Sequence, residues 1–391
     1  MKEFEIHNPV HVHFGQGKVK QLGKITKDYG KRVFVLTMSD IKKLRLTEDA
    51  VSSLKEAGLD VVEYNEVTAE PTCLHVDEVA RQVREAKTDI VVAIGGGSVI
   101  DVAKAAAICA THSESAWQYV NLSNRPPQPI HSNVLPIIAV PTTAGTGSEV
   151  TPYAVLSNDE TIQKGTVKSP YIFPKAAILD PELALKLPKN LTAATGADAF
   201  THALESFMNV RFRSPYSFMV ANQAMSIIYK TLPELLHNLH DIQLREQMAY
   251  GSMLAGLAIT HAGTTVAHAM GQPLGARLHL PHSVTVSIFT LPVIWKTWES
   301  DIDKFAELAS CLNGASVSEL AVKEKAKCAV ELVDSFFKNI EMDLKIGQYT
   351  SDQTIVDALV DDVTSYMSRP LAQHPKHFSD DEVRQIILEA F

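Results

Sequence analysis

DIVVAIGGGSVIDVAKAAAICAT, residues 89–111, sets a short apolar run against a run of small helix formers, with three glycines between them. Asp89–Gly97 reads as a buried strand, because Ile90–Ile94 leave no polar face for water. Val99–Thr111 reads as a helix, so the chain turns from strand to helix on the glycines. The same alternation extends upstream. RVFVLT (Arg32–Thr37) is a strand, a helix-like stretch ends in EAGL (Glu56–Leu59), a strand covers Asp60–Val67, and HVDEVARQVREA (His75–Ala86) is an amphipathic helix. Downstream, LPIIAVPT (Leu135–Thr142) is the last strand, and AAILDPEL (Ala176–Leu183) closes the half. Repeated βα units predict a parallel sheet with helices on both faces. From about Pro188 the pattern changes to Ala-, Leu- and Met-rich segments with helical periodicity, such as YSFMVANQAMSIIYKTLPELL (Tyr216–Leu236). The expected organisation is an α/β domain over residues 1–185 and an all-helical domain over 186–391, joined at PELALKLPKNLT. Ser379 before DDEVRQII predicts a capped closing helix.

Composition narrows the function. The 391 residues suffice for two or three domains with real cores, and 46% hydrophobic with 21% charged residues predicts a folded chain. Lys and Arg number 36 against 45 Asp and Glu, a net charge of -9, which disfavours nucleic acid and anionic lipid. MKEFEIHNP (Met1–Pro9) has no hydrophobic h-region, and no stretch approaches the ~18 apolar residues of a membrane span, so a cytoplasmic location is expected. The four cysteines (Cys73, Cys109, Cys311, Cys328) form no C-x-x-C pair, so any metal here uses nitrogen and oxygen donors.

Two turns and one constellation carry chemistry. IGGGSVID (Ile94–Asp101) presents backbone N–H groups and the positive end of a helix dipole, a site for a pyrophosphate, though it is not the G-x-G-x-x-G fingerprint and also suits a tightly packed βα turn. PTTAGTGSEVT (Pro141–Thr151) follows another strand and adds Thr142, Thr143, Thr146 and Ser148; Ser148 or Thr151 can instead cap a helix. Both turns fall where open α/β sheets bind nucleotides. In TGADAFTHALESF (Thr195–Phe207), Asp198 and His202 are four residues apart on one helical face, a chelating spacing that an ordinary i,i+4 pair shares. TTVAHAMGQPLGARLHLPHSV adds His268, His279 and His282. Imidazoles with one carboxylate suit Fe(II) or Zn(II) and disfavour Ca(II) or Mg(II).

GGGSVID, PTTAGTGSEVT, ILDPEL, GADAFTHALESF and PLGARLHLPHSV, in this order, resemble the iron-containing (group III) alcohol dehydrogenase family over almost the whole chain. The resemblance implies a dehydroquinate synthase-like architecture: an N-terminal NAD(P)-binding α/β domain, a helical C-terminal domain, and an active site in the cleft between them. It implies metal ligation by Asp198, His202, His268 and His282. It implies that Gly96, Gly97 and Ser98 hold the cofactor pyrophosphate with Asp101 beside them, that Thr142, Thr143 and Ser148 line the cofactor cleft, and that Lys164 lies near the ribose. The implied activity is hydride transfer between NAD or NADP and a small primary alcohol or aldehyde, with Fe2+, or Zn2+ as the alternative, polarising the substrate oxygen. A homodimer or higher homo-oligomer is implied as well, and the exposed first strand can pair across a two-fold axis. The rival readings are a metal- and NAD-dependent cyclase or lyase similar to dehydroquinate synthase, disfavoured because Asp198 stands where that enzyme has Glu, and a non-catalytic scaffold.

The chain departs from the family pattern in two places. Gln272 occupies the position, four residues after His268, where many members carry a second histidine suspected of relaying protons; an amide takes up no proton at neutral pH. His261 and His279 are the nearest replacements, although His279 also reads as a solvent-facing turn residue. His261 falls where the family often shows Asn, and Ile259 where an aromatic is common. Met38 follows Thr37 where NAD-preferring members place an Asp, so a 2'-phosphate meets no carboxylate, Ser39 can bond to it, and the choice between NAD and NADP stays open; Lys42 and Lys43 read either as helpers or as solvated surface lysines.

Overall fold

The computed structural model describes residues 3–391; Met1 and Lys2 of the opening segment lie outside the described residues. Contacts divide the chain into two units. One comprises His7–Leu187 with Leu239–Ala249, the other Pro188–Asn238 with Tyr250–Phe391 and, of the described residues, 3–6.

The first unit is built on nine strands: β1 (His11–Phe14), β2 (Arg32–Leu36), β3 (Asp60–Tyr64), β4 (Ile90–Gly95), β5 (Val120–Asn121), β6 (Ile137–Pro141), β7 (Tyr153–Asn158), β8 (Gln163–Lys168) and β9 (Ala176–Leu179). Six of them form a parallel sheet in the order β1-β9-β6-β4-β2-β3. Alternate residues Val33, Val35, Ile90, Val92, Ile94, Ile138 and Val140 pack with Leu22, Ala50 and Leu54 in one core. Phe34, Val91, Ala93, Ile137 and Ala139, which point the other way, are equally buried. Both faces of the sheet are therefore covered, as uninterrupted apolar strands require. β3 lies on one side of β2 and β4 on the other, so the strand order reverses between β2 and β4. The carboxyl ends of those two strands frame the crevice where such sheets bind ligands.

Several boundaries differ from expectation. The strand expected to reach Val67 ends at Tyr64, and the one expected to reach Gly97 ends at Gly95, with the helix already formed at Gly97. Within the closing stretch, Ala176–Leu179 forms one strand more than expected, and it stops where Asp180 accepts from Glu182 N and starts a 3-10 turn. The same carboxylate accepts from Gly17 N (3.2 Å) and Val19 N (3.0 Å), binding the segment that follows β1, Gly15–Val19, to the end of β9. An antiparallel sheet in the order β5-β8-β7 has no counterpart in the sequence reading.

The second unit is helical. Its site-bearing members are Lys189–Met208, Val266–Leu278 and His282–Thr297, with Pro215–His237 alongside and Asp380–Glu389 closing the chain. Ser379 caps that last helix in a capping box with Glu382. Val266, Met270, Leu274, Val286, Phe289 and Val293 share one core with Val383, Ile386 and Ile387 of the closing helix.

Candidate functional site

The helical unit brings together four donors from three helices. Asp198 and His202 sit one turn apart on Lys189–Met208; His268 belongs to Val266–Leu278, and His282 opens His282–Thr297. Glycine makes the approach of the last two helices possible, since a Cβ on Gly271 would lie 3.1 Å from the Thr285 carbonyl carbon. Thr201 Oγ1 and Thr290 Oγ1, 3.1 Å apart and buried, tie the first helix to the third. One donor atom from each of Asp198, His202, His268 and His282 lies within 4.8 Å of all the others. His202 Nδ1 and His282 Nε2 each stand 3.8 Å from an Asp198 oxygen, too far for a hydrogen bond. Asp198 Oδ1 and His268 Nε2 are buried and have no hydrogen-bond partner. Two orphaned buried donors cost about 1–3 kcal/mol each unless a cation takes them. The set of three imidazoles and one carboxylate, without sulfur, fits a first-row divalent ion.

Behind His268 stands Glu205, a residue to which the sequence reading gives no role. Its Oε2 accepts from His268 Nδ1 at 2.5 Å and from Thr265 N at 3.0 Å, while Oε1 accepts from Ala267 N (2.6 Å) and Thr265 Oγ1 (3.0 Å). Burial opposes its charge, yet His268 and these hydrogen bonds hold the carboxyl below its ordinary pKa. A proton fixed on Nδ1 leaves Nε2 as the lone-pair donor toward the cluster. The sequence holds a signal for it: Asp198, His202 and Glu205 are spaced i, i+4 and i+7, a single helical face. Thr265 Oγ1 continues to His374 Nδ1 (3.1 Å), whose Nε2 meets Thr297 Oγ1 (2.8 Å).

The three relay positions are placed separately. Gln272, one turn past His268, is buried with Oε1 unpartnered. His261 is half-buried, with Nδ1 2.8 Å from Leu257 O and its ring edge-on to Tyr216 at 4.9 Å. His279 is exposed in a left-handed turn (φ 51). Neither His261 nor His279 belongs to the four-donor group.

In the α/β unit the two turns face each other. A Cβ on Gly96 would lie 3.2 Å from Thr143 Oγ1, and one on Gly97 only 2.5 Å from Thr146 Cγ2. The Gly97–Cys109 helix starts here, so the amides of Gly97 and Ser98 precede any intrahelical acceptor and can hold an anion. Thr142 N donates to Gly95 O (3.1 Å), and its buried Oγ1 is unpartnered. Ser148 and Thr151 do not cap a helix as the sequence allowed. Ser148 Oγ donates to Asp101 Oδ1 at 2.6 Å, and both hydroxyls lie against the Lys104 ammonium. Asp101 Oδ2 accepts from Val155 N (2.9 Å), so its two oxygens brace the second turn. Lys164, on β8, is buried in an ion pair with Glu70. Met38 precedes a short helix, Ser39–Lys43, at the end of β2. Lys43 pairs with Asp40 (3.0 Å) and Lys42 with Glu63 (3.3 Å) on exposed surface, so both lysines have acidic partners of their own.

Comparison with known proteins matches the chain in two stretches. Residues 9–181 match the family described as iron-containing alcohol dehydrogenase, and residues 192–391 match its C-terminal family. Long-chain-alcohol dehydrogenase 1 of Geobacillus thermodenitrificans is 34% identical over 380 residues, 97% of this chain and 94% of that protein. Choline dehydrogenase of Bacillus subtilis is 33% identical over 340 residues, 87% of this chain and 83% of that protein. The crystal structure of an alcohol dehydrogenase from an archaeal halo-thermophile of a Red Sea brine pool has a TM-score of 0.94 and 29% identity, with 100% of both chains covered. All three are dehydrogenases, which supports net hydride transfer over the cyclase or lyase alternative.

Proposed function

The chain belongs to the iron-containing alcohol dehydrogenase family, and on that premise we propose that Asp198, His202, His268 and His282 hold its Fe2+ while the turns at Gly96–Ser98 and Thr142–Ser148 hold its nicotinamide nucleotide. The enzyme transfers a hydride between NAD(P) and an alcohol or the matching aldehyde. When bound, the ion supplies Lewis-acid polarisation of the substrate oxygen and the nucleotide supplies the hydride carrier. The observation that carries the ligand assignment is the convergence of four donor atoms within 4.8 Å, two of them buried without hydrogen bonds.

The chain's own residues do the remaining work. Asp198 brings a single negative charge to three imidazoles, so this ligand set would leave a bound divalent ion with net positive charge for polarising an alcohol oxygen. Glu205 holds the His268 proton on Nδ1 and keeps the ring oriented. Gln272 positions polar groups without accepting a proton, and proton exchange is assigned to His261 and His279, which lie outside the ligand set. At the nucleotide turns, the Gly97 and Ser98 amides take the pyrophosphate, Thr142 and Thr143 line its edge, and Lys164 lies toward the ribose. At the end of β2, Met38 leaves the adenosine ribose without a facing carboxylate, which admits NADP alongside NAD.

The substrate is a small primary alcohol or aldehyde; the relatives act on alcohols as different as long-chain alcohols and choline, so its side chain is set by this chain's own pocket. A homodimer joined at the outer edge of β1 is supported by the position of that strand at the end of the sheet. A cytoplasmic location is supported by four thiols, all unpaired; none of the described helices is long and apolar enough to cross a membrane. The test is metal analysis of anaerobically purified wild type and His268→Ala, followed by an alcohol and aldehyde screen with both nucleotides. One iron per chain in the wild type, lost in the variant together with turnover, is expected. Equal iron in the two proteins contradicts the ligand assignment.

A further inference from the structure

Lys104 lies seven residues beyond Gly97 on the helix that leaves the glycine turn, and it is fully buried. Its Nζ stands 2.6 Å from Ser148 O, 2.7 Å from Tyr153 O, 2.9 Å from Ser148 Oγ, 2.9 Å from Thr151 O and 3.3 Å from Thr151 Oγ1. An ammonium has three N–H groups. Five oxygens share it, as oxygens share a bound monovalent cation. Asp101, nearly one turn earlier on the same helix, takes Ser148 Oγ and Val155 N, so two neighbouring side chains grip the segment from Ser148 to Val155. The charged groups facing Lys104 are Asp101 and Glu149. Burial pushes Lys104 down to about 8 against their opposing influence, and burial pushes Glu149 up to about 7.

The gripped segment is the far end of the hydroxyl-rich turn. Its near end is fixed to β4 through Thr142 N and Gly95 O. Between the two ends, Thr143 and Thr146 lie over Gly96 and Gly97. Their placement therefore depends on both anchors, and the far anchor is the Lys104 cage.

We infer that Lys104 is a built-in cation that positions the second turn for the nicotinamide nucleotide, doing by covalent tether what a bound potassium or ammonium ion does elsewhere. It is a positioning residue, and the inference rests on the proposal that the two turns hold the nucleotide. Removing the ammonium leaves five oxygens around a cavity of cation size, so a free cation can replace it. A methionine side chain fills the same volume without charge and closes that route.

The test compares wild type, Lys104→Ala, Lys104→Met and Gly97→Val by fluorescence titration with NADH and NADPH, with iron content measured in parallel. Both Lys104 variants should lose about tenfold or more in nucleotide affinity, the scale of one hydrogen bond to a charged group, with iron unchanged. In turnover, the KM for nucleotide should rise while that for alcohol stays. Ammonium chloride should restore Lys104→Ala and leave Lys104→Met unrepaired, and tetramethylammonium should restore neither. Nucleotide binding at wild-type strength by Lys104→Met, or a loss in Lys104→Ala that ammonium does not relieve, overturns the inference. Should Lys104→Ala fail to fold, the affinity of Lys104→Met decides alone. Gly97→Val separates the two levels: if it too binds normally, the turns are not the nucleotide site; if it fails while Lys104→Met binds normally, only the role of Lys104 falls.

Discussion

The metal centre of the helical unit and the nucleotide turns of the α/β unit treat buried polar groups in opposite ways. At the turns, Asp101, Lys104, Ser148 and Thr151 satisfy one another, and the cation is part of the chain. In the helical unit, Asp198 Oδ1 and His268 Nε2 are buried with no hydrogen bond, while Glu205 behind them engages both of its carboxylate oxygens. A self-satisfied cluster shapes a surface for something else to rest on. An unsatisfied one, held rigid from behind, is shaped to take an ion itself.

Substitutions should separate the two regions, and the largest effect belongs to the metal centre. His268→Ala removes one donor and should lower kcat on the order of 10³-fold, the several kcal/mol that a Lewis acid supplies, with nucleotide affinity kept. Retained kcat with retained iron breaks the contrast at once. Gly97→Val forces a side chain into Thr146, 2.5 Å from the nearest atom, and should weaken nucleotide binding roughly 100-fold with iron content unchanged. Parallel titrations of iron and NADH check it. Glu205→Gln keeps shape but loses the carboxylate that orients His268, and chelator competition should show about 10–100-fold weaker iron binding; wild-type iron affinity would mean that the orienting carboxylate does nothing for the ion.

The network behind the metal centre also predicts a pH dependence. Burial holds His374 down at about 4 against an ordinary 6.5. Between those values the unfolded chain binds a proton that the folded chain refuses, so this contribution is complete above pH 6.5 and is lost as pH falls toward 4. Its size is roughly 3 kcal/mol. Urea unfolding of wild type and His374→Gln across that interval should show the wild type losing stability faster on acidification; parallel curves contradict the assignment. The smallest effect is expected at the end of β2, where Met38→Asp should shift the ratio of kcat/KM for NAD over NADP upward by about tenfold, and an unmoved ratio removes the ribose argument.

What the sequence made legible was local. The strand at Ile90–Gly95, the helix at Gly97–Cys109 and the capped helix at Asp380–Glu389 each follow from a contiguous pattern of apolar, small or capping residues. The ligand candidates were visible because Asp198 and His202 share a helical face. The antiparallel sheet was not, since β5 has two residues and β7 alternates buried with half-buried positions among polar side chains. Glu205 owes its function to amides some sixty residues away at Thr265 and Ala267, which no window around it contains. Lys104 reads as an ordinary lysine in an alanine-rich helix until Ser148, Thr151 and Tyr153 close over it. His279, a relay candidate on sequence, is exposed because a left-handed turn at that residue ends its helix. Leu239–Ala249 joins the α/β unit with no local mark of doing so, although Arg245 is buried against the carbonyls of Leu187 and Leu239.

X-ray absorption at the iron edge of the anaerobically reconstituted enzyme reads the first coordination sphere directly. Nitrogen and oxygen scatterers alone, with the multiple-scattering signature of three imidazoles, is the predicted result. A sulfur shell, or a signature of fewer than three imidazoles, contradicts the account.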